Sequence, residues 1–390
     1  MKFKKITDLQ LKNKVLFIRT DMNVPIQDGE ITDNTRIVAG IKTIKYALDQ
    51  GAKVIVATHL GRPIEGACNQ NDSIKPVSEY LSNHVNRKIA IVNDLSQNIS
   101  FEQSDIVMLE NVRCNIGEKK NDPTLGKKYA ALCDVFVHDA FATAHRQEAS
   151  TDTVGEYAKE VCAGLLMSSE LEALSQALAT PKKPVVAIVA GSKVSTKLSI
   201  LNNLADKVDY LIVGGGILNT FLLANGINIG KSLVEPELID QALAIQQKML
   251  ARGAKVPLPS DVVTAKNFSS DAAAISKGID SLEYNDMILD IGNNFAKQLG
   301  HIIEEAGTII WNGPVGVFEF DQFATGTKIL ANSIANSKAF SLAGGGDTIA
   351  AINKFQLANK ISYISTAGGA LLEFLEGRKL PAITLLEKRY

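Results

Sequence analysis

Short runs of consecutive apolar residues, separated by stretches with helical spacing, fill most of the chain. In the first half the runs lie at 14–20 (KVLFIRT), 53–58 (KVIVAT), 88–92 (KIAIV), 105–109 (DIVML) and 134–141 (DVFVHDAF). They are apolar throughout rather than alternating, as in parallel strands buried on both faces. Helical patterns at 36–50 and 74–86 lie between them, so the order reads as βαβ units. An amphipathic stretch at 162–179 ends at Thr180-Pro181 and predicts a helix that connects two α/β series. Strand-like runs then resume at 185–189, 210–213, 309–311, 340–342 and 361–365. The tail LPAITLLEKRY has no strand partner of its own. The expected class is therefore α/β, with two doubly wound parallel sheets, a cleft between them and ligands at the strand C-termini.

Four of the later strands run into small residues: VVAIVAGSK (185–193), DYLIVGGG (209–216), AFSLAGGGDT (339–348) and ISYISTAGG (361–369). Each leads into a helical pattern. A helix N-terminus carries unpaired N–H groups and partial positive charge, and glycine lets a phosphate approach the backbone. Several such turns on one sheet point to a polyphosphate site.

Charge sharpens this picture. The 390 residues carry 41 basic and 42 acidic side chains, a net charge of −1, which argues against a nucleic-acid or membrane-surface protein. An anion must then be held by a local cluster. Arg19, Arg36, Arg62, Arg87, Arg113 and Arg146 precede residue 150, and the next arginine is Arg252. Arginine suits bidentate contacts to phosphate and carboxylate, so the first half is expected to bind a small, doubly anionic molecule. The hydrophobic share of 46% is enough for each domain to bury a full core. Cys68, Cys114, Cys133 and Cys162 show no metal spacing, and core thiols are expected. The basic N-terminus is too polar for a signal peptide and no apolar run reaches membrane-spanning length, so a cytoplasmic protein is expected.

Six constellations carry candidate chemistry. In RTDMNVP (19–25), Asp21 and Asn23 could hydrogen-bond a hydroxyl, although alone it reads as a polar turn. In THLGRP (58–63), His59 and Arg62 could contact a phosphate, and an ordinary Gly-Pro loop is equally good in isolation. MLENVRC and HDAFATAHR place Arg113 and Arg146 beyond strand ends, so Arg19, Arg62, Arg113 and Arg146 are expected to converge on one anion. Arg36 lies near a helix start, and the residues alone do not place it. In AGSKVSTK (190–197), Lys193 and Lys197 would share a helix face, where they repel each other unless a polyphosphate binds. The spacing of a Walker A loop is absent. In WNGPVGVFEF and GGGDT, Glu319 could accept bonds from a ribose. Asp347 could hold Mg²⁺ beside phosphates, or serve as a plain N-cap.

These motifs, with ENVR, GGGILNTF and STAGGA, occur in the order expected of the phosphoglycerate kinase family, and the chain resembles its bacterial members from about Arg19 to the C-terminus. The resemblance implies two Rossmann-like domains joined by a helix and hinge. Residues 1–170 would bind 3-phosphoglycerate. Residues 171–375, beginning with the connecting helix, would bind nucleotide, and the tail 376–390 would pack on the first domain. It implies reversible phosphoryl transfer between 1,3-bisphosphoglycerate with ADP and 3-phosphoglycerate with MgATP, in a monomer that closes to bring the substrates in line. Asp21, Asn23, His59, Arg62, Arg113 and Arg146 would hold the glycerate and its 3-phosphate. Arg36, Lys193, Gly368 and Gly369 would serve the transferring group. Lys197, Gly214, Gly215, Glu319, Gly345, Gly346, Asp347 and Thr348 would bind nucleotide, with Asp347 also meeting Mg²⁺.

Three positions depart from the family pattern: Ala190 and Ala367 replace glycines, and Glu148 stands where several relatives have histidine. At Ala367 a methyl could crowd the anion or forbid a positive φ. That residue is the only support for an alternative, a catalytically impaired scaffold or binding protein of the same fold. A Rossmann dehydrogenase is rejected, because the first strand ends in RTDMNVP rather than GxGxxG.

Overall fold

The computed structural model describes residues 1–95 and 99–390. It divides into two compact units, Met1–Glu172 with Lys379–Tyr390, and Ala173–Arg378. In the first unit the strands are β1 (Val15–Thr20), β2 (Ile26–Gln27), β3 (Glu30–Ile31), β4 (Lys53–Ala57), β5 (Ala90–Val92), β6 (Ile106–Leu109), β7 (Val135–Asp139) and β8 (Glu160–Ala163). Six of them form one parallel sheet in the order β5-β6-β4-β1-β7-β8. The runs are uninterrupted in sequence because both faces are covered: Leu16, Phe17, Ile18, Ile55, Val56 and Phe136 are all buried. β2 and β3 pair as a short antiparallel ribbon.

The second unit holds β9 (Val185–Ala190), β10 (Tyr210–Gly214), β11 (Asp261–Ala265), β12 (Ile275–Gly278), β13 (Met287–Ile291), β14 (Thr308–Asn312), β15 (Phe340–Gly344) and β16 (Tyr363–Ser365). Its parallel sheet runs β10-β9-β14-β15-β16, and a separate antiparallel sheet runs β12-β11-β13. The fold is α/β, with two Rossmann-like parallel sheets.

Two expectations change. The stretch at 162–179 is not one helix. Cys162 and Ala163 belong to β8, the helix spans Leu165–Leu174, and a π-helical turn covers Ser175–Ala179. β8 pairs with β7 through Val161–Phe136 and Cys162–Val137. Pairing at a sheet edge overrides a periodicity that suits either element. The cysteines also divide. Cys133 and Cys162 are buried free thiols, and burial pushes Cys133 up to about 12. Cys68 and Cys114, 46 residues apart, form a disulfide beside the bond from Gly66 N to the Cys114 carbonyl. Sequence spacing gave no sign of this pairing.

Helix ends follow local chemistry. The Asp122 carboxylate accepts from Thr124 N and Leu125 N at 2.8 and 2.9 Å, and Pro123 opens the helix Pro123–Ala131. The tail helix Pro381–Lys388 packs within the first unit: Ala382 N donates to the Ala144 carbonyl, and the Arg389 guanidinium donates to the Ala158 carbonyl. Among the described residues no helix is long and apolar enough to cross a membrane.

A polar network lies inside the first unit. Arg19 is fully buried on β1 and donates through Nε to Ser150 Oγ at 2.8 Å. Ser150 Oγ donates in turn to Glu118, and Tyr129 lies 3.4 Å from the same carboxyl. Burial raises the Glu118 carboxyl from 4.5 to about 7, although Arg19 and Ser150 favour its charged form. Burial likewise raises Asp139 and Asp290 to about 7. A raised carboxyl contributes stability that is whole below its unfolded pKa and lost as pH rises through the folded pKa. Glu118→Gln, neutral at every pH, should gain on the parent by on the order of 3 kcal/mol between pH 4.5 and pH 8. Denaturant midpoints across that range check this, and a pH-independent difference would count against it.

Candidate active site

In the first unit the loops after β1, β4, β6 and β7 and the helix that follows β3 bring Asp21, Asn23, Arg36, His59, Arg113 and Arg146 into one network of contacts. Asp21, just beyond β1, is buried and pairs with Arg36 Nη1 through Oδ2 at 3.0 Å. Arg36 stands in the first turn of the helix Thr35–Asp49 and also donates to the Asn23 carbonyl at 3.3 Å. This places the arginine that the residues alone could not. Asn23 Oδ1 accepts from Gly61 N at 2.9 Å, which ties the first loop to the THLGRP loop. A cavity of 380 Å³ is lined by Asn23, Val24, Pro25, Asp33 and Arg36.

His59 is buried, with Nδ1 3.4 Å from Arg19 Nη2 and 3.8 Å from Asp21 Oδ1. Burial and then the surrounding arginines hold its pKa far below the ordinary value, so the ring is neutral at physiological pH. Arg113 is buried and donates to the Gly61 carbonyl at 2.9 Å and to Glu148 Oε1 at 3.1 Å. Arg146 is half-buried, 3.9 Å from the same Glu148 oxygen. Its pKa is lowered by burial and by Arg113. Arg62 is exposed on the loop after β4. Of the four arginines expected to converge, Arg19, Arg113 and Arg146 reach Glu148, and Arg19 is the one fully buried. Arg19 points inward from the strand itself and braces His59, Ser150 and the Thr20 carbonyl. Glu148 is the residue that the motif reading did not assign to the cluster, since an acid gives no signal for an anion site.

In the second unit the glycine turns stand as expected, but the lysines do not share a helix. The segment 191–197 is a loop and turn, and the helix begins at Leu198. Lys193 is exposed, whereas Lys197 turns inward. Lys197 Nζ donates to the Ala190 carbonyl at 2.6 Å and to Asn312 Oδ1 at 2.7 Å. Burial pushes its ammonium down to about 8, against the pull of Asp347. Helices Gly216–Ala224 and Gly346–Lys354 are capped by Gly215 and Gly345 at φ +63° and +100°. A β-carbon there would be strained. At Gly215 it would also lie 2.7 Å from the Gly191 carbonyl oxygen.

Gly191, Gly215, Glu319 and Asp347 line a cavity of 570 Å³. Its apolar walls include Leu233, Leu289, Val317 and Phe268; Gly214 is not among the lining residues and packs against Val315. Sequence reading missed those walls because single apolar residues on separate elements leave no motif. Asp347 is exposed in the first turn of its helix, beside Gly346. The Thr348 side chain secures the neighbouring loop, its Oγ1 accepting from Gly313 N at 2.8 Å. Gly368 and Gly369 open the helix Gly368–Leu375, with open space where a Gly368 β-carbon would be. Ala367 before them has φ −96° and ψ 96°, extended backbone that any residue adopts, so the feared positive φ does not arise. Ala190 is likewise an ordinary strand residue.

The phosphoglycerate kinase family model matches residues 6–378. The structure is similar to that of phosphoglycerate kinase from Coxiella burnetii, with 50% identity, a TM-score of 0.97 and full coverage of both chains. It is also similar to phosphoglycerate kinase from Pyrococcus horikoshii OT3, with 30% identity and a TM-score of 0.79, over 99% of this chain and 100% of that one. With the expected motifs gathered on two parallel sheets, the chain belongs to the phosphoglycerate kinase family of glycolytic phosphotransferases.

Proposed function

We propose that the arginine cluster of the first unit holds 3-phosphoglycerate and that the glycine-capped cavity of the second holds the adenine nucleotide. The observation that carries this reading is the continuous chain of contacts Asp21–Arg36–Asn23–Gly61–Arg113–Glu148. It joins hydroxyl-binding groups to guanidinium groups along one edge of a sheet. In this reading Asp21 and Asn23 bind the glycerate with neutral His59 beside them. Arg62, Arg113 and Arg146 bind its 3-phosphate, and Arg36 acts at the carboxyl end where the phosphoryl group is transferred.

Glu319 takes the ribose, and Gly214 and Gly215 line the adenosine. Lys197, Gly345, Gly346, Asp347 and the main chain of Thr348 meet the phosphates. Lys193 and the N–H groups of Gly368 and Gly369 stabilise the moving phosphoryl group. The residues fit Mg²⁺, because an exposed carboxylate at a phosphate-binding helix start is the ligand that such an ion takes in addition to phosphate oxygens. When bound, the ion would neutralise part of the polyphosphate charge. Phosphoryl transfer asks mainly for positioning and charge stabilisation, and the acceptor is already ionised, so no general base is assigned. The enzyme is taken to act as a cytoplasmic monomer, as the resemblance implies.

Steady-state transfer from MgATP to 3-phosphoglycerate tests these roles. Lys193→Ala should lower kcat by about 100-fold while the KM for MgATP stays within a few-fold. A fully active variant would remove Lys193 from the transfer step. Ala367→Gly should change kcat less than twofold, since the extended backbone at Ala367 suits either residue. A large gain in rate would revive the impaired-scaffold reading. Lys197 binds phosphate only as a cation, and its pKa lies near 8. The KM for MgATP should therefore stay level below pH 8 and rise above it, by up to about tenfold per pH unit. A level profile from pH 7 to pH 9.5 would argue against this role.

A further inference from the structure

Glu148 carries the charge that an anion site should exclude. It is 6% exposed, and its carboxylate lies among three guanidinium groups. Oε1 is 3.1 Å from Arg113 Nη2 and 3.9 Å from Arg146 Nη1, and Oε2 is 3.9 Å from Arg19 Nη2. A turn fixes the main chain: Glu148 N donates to Thr151 Oγ1 at 3.2 Å, and the Glu148 carbonyl accepts from Thr151 N at 3.0 Å and Asp152 N at 2.9 Å. The carboxylate is thus built into the cluster.

We propose that Glu148 is a resident counter-anion of the phosphate-binding cluster and sets its affinity for the phosphate end of the substrate. This rests on the assignment of Arg113 and Arg146 to that phosphate. Without a ligand, Glu148 balances guanidinium groups that would otherwise repel one another. When a phosphate binds, it shares Arg113 and Arg146 with the carboxylate, so the two anions stand within roughly 7 Å across the same guanidinium groups. At that range in a half-buried site, one unit of charge alters affinity by about tenfold or more. Orientation counts for less, because the Gly61 carbonyl also anchors Arg113 and a glutamine at position 148 would keep an acceptor for Nη2. Charge decides the sign: Glu148 weakens anion binding and keeps the empty site from trapping any small anion.

The test uses the full-length enzyme and two variants. Glu148→Gln should lower the Kd for 3-phosphoglycerate, measured by titration calorimetry, by about tenfold. It should lower the inhibition constant of inorganic phosphate similarly and steepen the salt dependence of both. The KM for MgATP should stay within twofold, which reports an intact fold. Glu148→Asp keeps the charge and should leave the Kd within threefold. An unchanged Kd in Glu148→Gln, with the KM for MgATP intact, would overturn the proposal, and so would a raised one, which would make the residue a brace for Arg113. If the parent enzyme itself fails to bind 3-phosphoglycerate, the residue assignment fails instead, so the two failures are distinguishable.

Discussion

Every strand of each main sheet runs the same way, so all the loops that leave strand C-termini collect along one edge. A parallel sheet cannot return its chain by a tight turn, and each strand must be followed by a crossover, here mostly helical. Polar residues placed just after apolar runs are thereby gathered, whatever their separation in sequence. Asp21, Gly61, Arg113 and Arg146 come from four such loops and still form one contact network. In the second unit the same rule sets Gly191, Gly215 and Asp347 around one cavity.

Gathering charge creates a second constraint, since like charges on one edge repel and buried ones need partners. The first unit meets it in layers. Arg19 is buried behind the site and bonds to Ser150, which also serves Glu118. Glu148 lies between that inner arginine and the two outer ones. His59, wedged among arginines, is neutral and adds no further charge. The result is an edge that stays rich in guanidinium groups while each buried one has an oxygen close by.

Sequence legibility followed the same physics. Strands of the main sheets were visible because burial on both faces leaves unbroken apolar runs, and the site loops because small or charged residues follow those runs directly. β8 and the antiparallel sheet of β11, β12 and β13 were not. β12 is largely exposed and carries no apolar run, and β8 shares its residues with the start of a helical pattern. The Cys68–Cys114 pairing depended on two loops meeting, which no local pattern encodes. The inward turn of Lys197 was hidden for a similar reason: its partners, Ala190 and Asn312, lie on two different strands. The apolar cavity walls come from residues whose only shared property is their place in the fold.

The proposed anion sites must also be stable when no anion is there, and in both units donors are filled internally. Lys197 fills its donors with the Ala190 carbonyl and Asn312, which also brackets the loops after β9 and β14. Arg113 fills two of its donors with the Gly61 carbonyl and Glu148. In the proposed assignment, a phosphate at Lys197 exchanges partners with these acceptors, whereas one at Arg113 shares the guanidinium with Glu148. Each internal bond released subtracts from the gain of the new one, so affinity is moderated while geometry is fixed in advance. Lys193 and Arg62 are arranged differently, with exposed side chains that can meet a ligand without first opening a buried contact. In the proposed roles such a division, pre-bonded groups to fix the frame and exposed ones to follow the charge, suits a reaction that must run in both directions. A reversible transfer gains nothing from a site that holds either side of the equilibrium too tightly.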